Sequence, residues 1–369
     1  MKQMIRKTYL SIFTSILVLI VSITTTYAWA GILSYSSTEQ FTINLEKIEH
    51  SDYSLMISLD GVHFSEGISM VELRRTILNN MDVDCSNLSD TVVNDVFSKL
   101  VMNPVSMQQN GNEIGPFVCL EDITGTSKFN YASVVNESEK AKKSYFNFDL
   151  YLSFDYTGSK ELVSEEVIND SQSVMLSNIS NLLVGPTKGI QLSKPYHFQD
   201  YFNQEEIKVT NVDITSAARV ALTKYEVVER GHPESVSTVS DLILYQGGTA
   251  TPTFKDGVYS FGGIMDKNNN LAFTEYNNIN SKKIDSAILD EFYQNRCNES
   301  GLENAIALDD LENGHWIIQK SDGLCAQTMM KINVKMWIEG FDGDCFNVIG
   351  RSPITLNLIF STTKRTDEE

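Results

Sequence analysis

Apolar and polar residues alternate along most of this chain. In YFNFDLYLSFDY (145–156), Phe146, Phe148, Leu150, Leu152 and Phe154 fall on one side of an extended backbone. Asn147, Asp149, Tyr151, Ser153 and Asp155 fall on the other. A period of two with one polar face predicts a half-buried antiparallel strand. KINVKMWIE (331–339) repeats the pattern with Ile332, Val334, Met336 and Ile338 inward, and ITLNLIF (354–360) with Ile354, Leu356, Leu358 and Phe360. Weaker runs of the same kind are QFTINLEKI (40–48), SLMISLD (54–60), ARVALTKYEVV (218–228), DLILYQ (241–246) and HWIIQK (315–320). Separated runs of this type predict a mainly β protein built as an antiparallel β-sandwich, with 145–156, 331–339 and 354–360 at its centre.

Helical spacing is rarer. SMVELRRTILNNM (69–81), DTVVNDVFSKLV (90–101) and KIDSAILDEFYQN (283–295) place apolar residues three or four apart. Ser69 and Asp285 precede apolar-periodic runs and read as N-caps. These segments are expected as helical insertions packed on the sandwich. The stretch from about 231 to 322 is rich in Gly, Asn, Ser and Asp and separates two strong strand runs, so it reads as the main insertion.

One segment breaks every alternation. Thr8–Leu33 is 26 residues without a charge, preceded by Lys2, Arg6 and Lys7, and the first acid is Glu39. Residues 1–33 therefore read as a hydrophobic helix that is a signal peptide, an N-terminal membrane anchor, or both, ahead of a body at 34–369. Basic residues before the apolar run keep the N-terminus in the cytoplasm and send the body across. The expected location is extracellular or on the cell surface. Ala28-Trp29-Ala30 is an A-x-A-like site and Thr26-Tyr27-Ala28 a second one, so Ala28 and Ala30 are the candidate cleavage residues. Export machinery and a signal peptidase are the implied partners; uncleaved, the helix would hold the protein in the membrane.

Charge narrows the classes further. All 48 Asp and Glu follow residue 38, against 26 of the 29 Lys and Arg, which leaves the body at −22. Such a surface repels nucleic acid and anionic lipid headgroups. The five cysteines, Cys85, Cys119, Cys297, Cys325 and Cys345, form no C-x-x-C pair. An odd number in an exported chain leaves one thiol free or paired between chains. At this density the core, not a disulfide lattice, holds the fold.

No H-E-x-x-H, G-x-S-x-G or phosphate-loop signature occurs, and the five histidines lack ligand spacing. An enzyme is not expected, nor a cofactor. Two clusters have the composition of hard-cation sites. Asp266, Asn268 and Asn270 stand at alternate positions in DKNNN, and Asp342 and Asp344 flank Gly343 in FDGDC. Both are calcium candidates, and both read more readily as turns.

Several segments carry a resemblance. Tyr27-Ala28-Trp29 followed by small polar residues and QFTINLE resembles the export region of Firmicutes fibre and surface proteins of the TasA/camelysin type. KMWIEGFDGDCFNVIGRSPITLNLIF (335–360), with its W-x-E-G-x-D pattern, and ARVAL (218–222) are similar to segments of related surface proteins. The resemblance covers about a third of the chain. It implies a jelly-roll-like sandwich and a structural role in a fibre or surface layer.

The expected function is therefore a non-enzymatic, exported surface protein that self-assembles, with Phe41, Ile43 and Leu45 on a strand able to add to a neighbour's sheet. That strand reads, slightly more readily, as the first strand of its own sandwich. A membrane-anchored, ligand-binding or adhesive ectodomain is the alternative, and an extracellular hydrolase the third.

Overall fold

The computed structural model describes residues 40–45, 52–100, 102–103, 105–110, 113–118, 137–158, 169–184, 190–200, 206–212, 214–247, 254–255, 258–259, 264–265, 305–308, 311–339 and 354–362. In chain order these form β1 (Gln40–Leu45), β2 (Tyr53–Ser58), α1 (Met70–Asn80), α2 (Asp90–Ser98), β3 (Ser106–Asn110), β4 (Glu113–Val118) and α3 (Glu139–Lys142). There follow β5 (Phe146–Tyr156), β6 (Val174–Leu176), β7 (Asn181–Val184), β8 (Ile190–Asp200), β9 (Glu206–Val212), β10 (Ala218–Tyr225), β11 (Val228–Glu229) and β12 (Val239–Gln246). Short strands β13 (Phe254–Lys255), β14 (Val258–Tyr259), β15 (Ile264–Met265) and β16 (Ile306–Ala307) precede β17 (His315–Ile318), β18 (Thr328–Ile338) and β19 (Ile354–Thr362).

The protein is mainly β, with two principal sheets, one of them curled into a half-barrel. The larger runs β16-β12-β10-β18-β5-β2, with β11 continuing along β18. The smaller runs β1-β19-β6-β17, with β7 also on β19. One cluster of buried apolar side chains draws on both: Phe146, Phe148, Leu150, Val334 and Met336 from the larger sheet, Leu356, Leu358 and Phe360 from the smaller. The inward sets expected on 145–156, 331–339 and 354–360 are all at most 6 % exposed. Period-two patterning works here because each strand has a true core side.

Helices α1 and α2 close one flank. Ser69 caps α1 through its hydroxyl, 3.4 Å from the Glu72 amide. Leu73, Ile77 and Leu78 of α1 and Val93 and Phe97 of α2 enter the core. Phe97 stacks on Phe146 with ring centroids 5.5 Å apart. The helix expected at 283–295, its cap Asp285 and the N-terminal hydrophobic helix lie outside the described residues.

Three expectations change. The pairing is not wholly antiparallel: β1 runs parallel to β19, and β12 parallel to β16. No hairpin turn fixes the direction of β1, since the chain leaves it for β2 in the other sheet, and a parallel partner is then allowed. The second face of the larger sheet is not simply a solvent face. Tyr151 is 8 % exposed, and Ser153, Trp337 and Glu339 are fully buried there. Finally, the span 231–322 contains β12 and β16, which build one edge of the larger sheet, and β17, which ends the smaller one.

Candidate functional site

The assembly strand proposed from the sequence is an edge strand of its own chain. β1 registers with β19 over six pairs, from Gln40 opposite Thr355 to Leu45 opposite Phe360. Ile43, 5 % exposed, enters the core, and Leu45 packs against it partly buried. Phe41 stands opposite Leu356; its side chain is outside the described residues. On the outer side, Asn357 of β19 accepts from the Thr42 hydroxyl at 2.8 Å and the Asn44 amide at 3.1 Å. Among the described residues β1 has no second strand partner, the position from which a strand's backbone can pair with another chain.

The outer face of the larger sheet is in two parts. At one end the β3–β4 hairpin covers it. Phe117, fully buried, stacks on Tyr145 at 4.1 Å and meets Trp337 edge-on at 5.3 Å. Glu137 accepts from the Phe117 amide at 2.7 Å and the Tyr145 hydroxyl at 2.9 Å, and Lys335 donates to the Ile114 carbonyl at 2.6 Å. Burial, then the Glu137 charge, pushes the Tyr145 phenol well above its ordinary value, so it remains a donor. Beneath the hairpin, Arg219 and Trp337 are cross-strand neighbours, and the Trp337 indole donates to Glu339 at 3.1 Å. ARVAL and the W-x-E-G segment thus meet in adjacent strands, with Arg219, Trp337 and Glu339 fully buried.

Beyond the hairpin the same face carries a polar ladder across β10, β18 and β5. Asn333 donates to Asn147 at 2.8 Å and to Asp149 at 2.7 Å. Lys331 pairs with Asp149 at 2.9 Å and lies 4.9 Å from the centroid of the Tyr225 ring. Burial works against the Lys331 charge, but the hydrogen bond and charge of Asp149 override it and hold the ammonium above its ordinary value. Burial raises the Tyr151 phenol, with the Lys331 charge opposing. The ladder therefore offers phenol hydroxyls, amides and one internally compensated ion pair. It can bind and orient a polar molecule, and it holds no nucleophile paired with a base.

Two further clusters stand at the margins of the larger sheet, and the second of them reaches the smaller one. Arg230 donates to the Phe154 carbonyl at 2.9 Å and Asp155 at 2.5 Å, while its guanidinium lies over Phe64 at 4.6 Å. Asn169, Val228, Arg230 and Gln327 help line an open pocket of about 520 Å³ beside it. At the opposite edge, the Tyr245 hydroxyl and His315 Nδ1 lie 2.6 Å apart, joining β12 to β17. Burial lowers His315, with Asp241 opposing.

The other residues singled out from the sequence, Ala28, Ala30, Asp266, Asn268, Asn270, Asp342 and Asp344, lie outside the described residues. Among the described residues no group of three or more His, Cys, Asp or Glu is placed to hold a metal ion. Sequence pattern alone does not reveal the ladder, although it contains every residue of it. Asn147, Asp149 and Tyr151 are the polar half of one alternating run, and Lys331 and Asn333 that of another; only the register joins them. No family model, curated protein or solved structure matches this chain.

Proposed function

We propose that the chain is an exported, non-enzymatic surface protein whose jelly-roll-like body self-assembles through its first strand into a fibre or surface layer. The supporting observation is the position of β1. It is the first strand among the described residues, follows the segment read as an export signal, has one strand partner among those residues, and contributes Ile43 to the core. An edge strand of this kind can leave its own sheet for a neighbour's, or accept a strand from one, with main-chain hydrogen bonds supplying affinity and alternate side chains supplying register.

Deleting 34–46 from the full chain tests this. The expected outcome is a sharp melt with loss of all higher-order species in native size measurements. A collapsed or broadened melt makes β1 an obligatory strand of its own body. Normal melting together with normal assembly removes the segment from assembly altogether. N-terminal sequencing of the exported form tests cleavage at Ala28 or Ala30.

The second reading, a ligand-binding or adhesive ectodomain, is favoured by the polar ladder, whose side chains are held in place and, Tyr151 apart, only half-buried.

A further inference from the structure

We infer that the outer face of the larger sheet carries a saccharide-binding groove, floored by Asn147, Asp149, Tyr151, Tyr225, Lys331 and Asn333, that takes an uncharged oligosaccharide. This goes beyond assembly through β1 and does not depend on it.

The floor is rigid. It spans three consecutive strands in continuous register, with Thr223 opposite Asn333, Asn333 opposite Asp149 and Lys331 opposite Tyr151. Its polar groups hold one another sideways. Asn333 spends its amide on Asn147 and Asp149, and Lys331 its ammonium on Asp149. That leaves the side-chain carbonyl of Asn333, the side-chain amide of Asn147 and the hydroxyls of Tyr151 and Tyr225 without a hydrogen-bond partner among the described residues. None of these atoms is sealed from solvent, and the Lys331 and Asp149 side chains are 19 % and 34 % exposed. Unspent donors and unspent acceptors therefore stand together on one preorganised surface.

The ends of the groove are built too. At one end the turn after β2 and the turn after β11 meet over Tyr151. A Cβ on Gly61 would lie 2.9 Å from Pro233 and 3.1 Å from the Tyr151 ring. Asp60 in that turn accepts from the Val62 and His63 amides at 2.8 Å each, which fixes its shape. At the other end Lys335 anchors the β3–β4 hairpin through the Ile114 carbonyl. Between Tyr151 and Asn147 the floor runs about 13 Å along β5, at the usual rise of a strand.

Ligand class follows from these groups. A sugar hydroxyl both donates and accepts, so it answers amide, carbonyl and phenol alike. A sugar ring also has an apolar face, which the half-buried body of Tyr225 can meet, while the Tyr151 ring lies beneath the closing turns and offers its hydroxyl alone. The one ion pair is internally neutral, and the chain carries −19 overall, so a phosphorylated, sulfated or uronic ligand would meet repulsion. A bare cation would find a single carboxylate already held by Lys331.

The test is calorimetric titration of the full chain, in a detergent without a sugar headgroup, with cellohexaose, xylohexaose and N-acetylchitohexaose. At least one hexaose is expected to bind. Tyr151→Phe, which keeps the ring, and Asn333→Ala are each expected to weaken that binding roughly tenfold, the loss of one to two hydrogen bonds. If Asn333→Ala melts early, Tyr151→Phe alone decides, since it leaves packing unchanged. No binding by any of the three at millimolar concentration overturns the proposal, as does binding that neither substitution alters. Loss of self-association in these variants, with no saccharide bound, makes the face a subunit interface and also overturns it. The variant lacking 34–46 is titrated in parallel. Saccharide binding that survives there while assembly is lost separates this groove from the β1 reading.

Discussion

β18 and β1 share one sequence pattern and occupy opposite situations. Ile332, Val334 and Met336 alternate in the first as Phe41, Ile43 and Leu45 do in the second. β18 lies between β10 and β5, and its second face is covered where Trp337 and Glu339 are fully buried. β1 has β19 alone among the described strands, and its outer side chains Thr42 and Asn44 share one acceptor, Asn357. Alternation thus reports that a strand has a core side. It does not report how many neighbours must be lost to remove the strand. The centre can open only with the whole fold, whereas an edge can open by itself.

The largest effect is expected beside β18. Phe148→Asp removes a fully buried ring and leaves an unpaired carboxylate in the core. The ring alone is worth about 3–5 kcal/mol, and the charge adds to that. A domain near the lower end of ordinary stability, about 5 kcal/mol, would be largely unfolded, and a more stable one would melt far earlier, as circular dichroism would show. Asn147→Ala, one residue away on the outer face, is the control: it removes one side-chain acceptor and should cost about 1 kcal/mol. Comparable losses from the two would erase the distinction between the faces of β5.

At the edge, Ile43→Ala should behave unlike a core truncation although Ile43 is buried. A rigid core site would lose about 2–5 kcal/mol. Here release of β1 caps the global loss below that range. Hydrogen exchange should quicken sharply in β1 while β5 and β18 keep their protection. Equal acceleration in all three strands would show that β1 is as cooperative as the centre.

The smallest effect sharpens the comparison at the other edge, where Tyr245 and His315 join β12 to β17. Burial holds His315 below its ordinary value of 6.5. The folded state then prefers neutral His315, so its contribution is present above that value and is lost as pH falls through the lowered one. The melting temperature should drop modestly between neutrality and mild acid, and His315→Gln should remove that part of the slope. An unchanged slope would mean other groups set the acid response.

What was legible follows from how local each signal is. The inward faces of β5, β18 and β19 could be read because one strand's side chains alternate whatever its neighbours are. Ser69 could be read as a cap because its partner is three residues away. The β3–β4 hairpin is harder to read: the two residues between the paired Asn110 and Glu113 are Gly and Asn, a hairpin composition, but Ser106, Gln108 and Gln109 give β3 almost no alternation. β8 was missed for a related reason. Pro195 lacks an amide and interrupts the run, and the pairing with β9 shifts register across it. The polar ladder needed three strands in register, and no window of one strand contains it.

The sequence by itself determined the longest alternating strands, β5, β18 and β19, which side of each faces the core, the helices at α1 and α2, and an acidic body behind a charge-free apolar segment. Tertiary structure alone decided that β1 lies parallel to β19, that the hairpin seals Trp337, and that Asn333, Asp149 and Lys331 meet between the closing turns. The division has one cause. Periodicity and capping act within a few residues, whereas pairing direction, coverage of a second face and convergence of polar groups arise between segments up to 315 positions apart, such as Thr42 and Asn357.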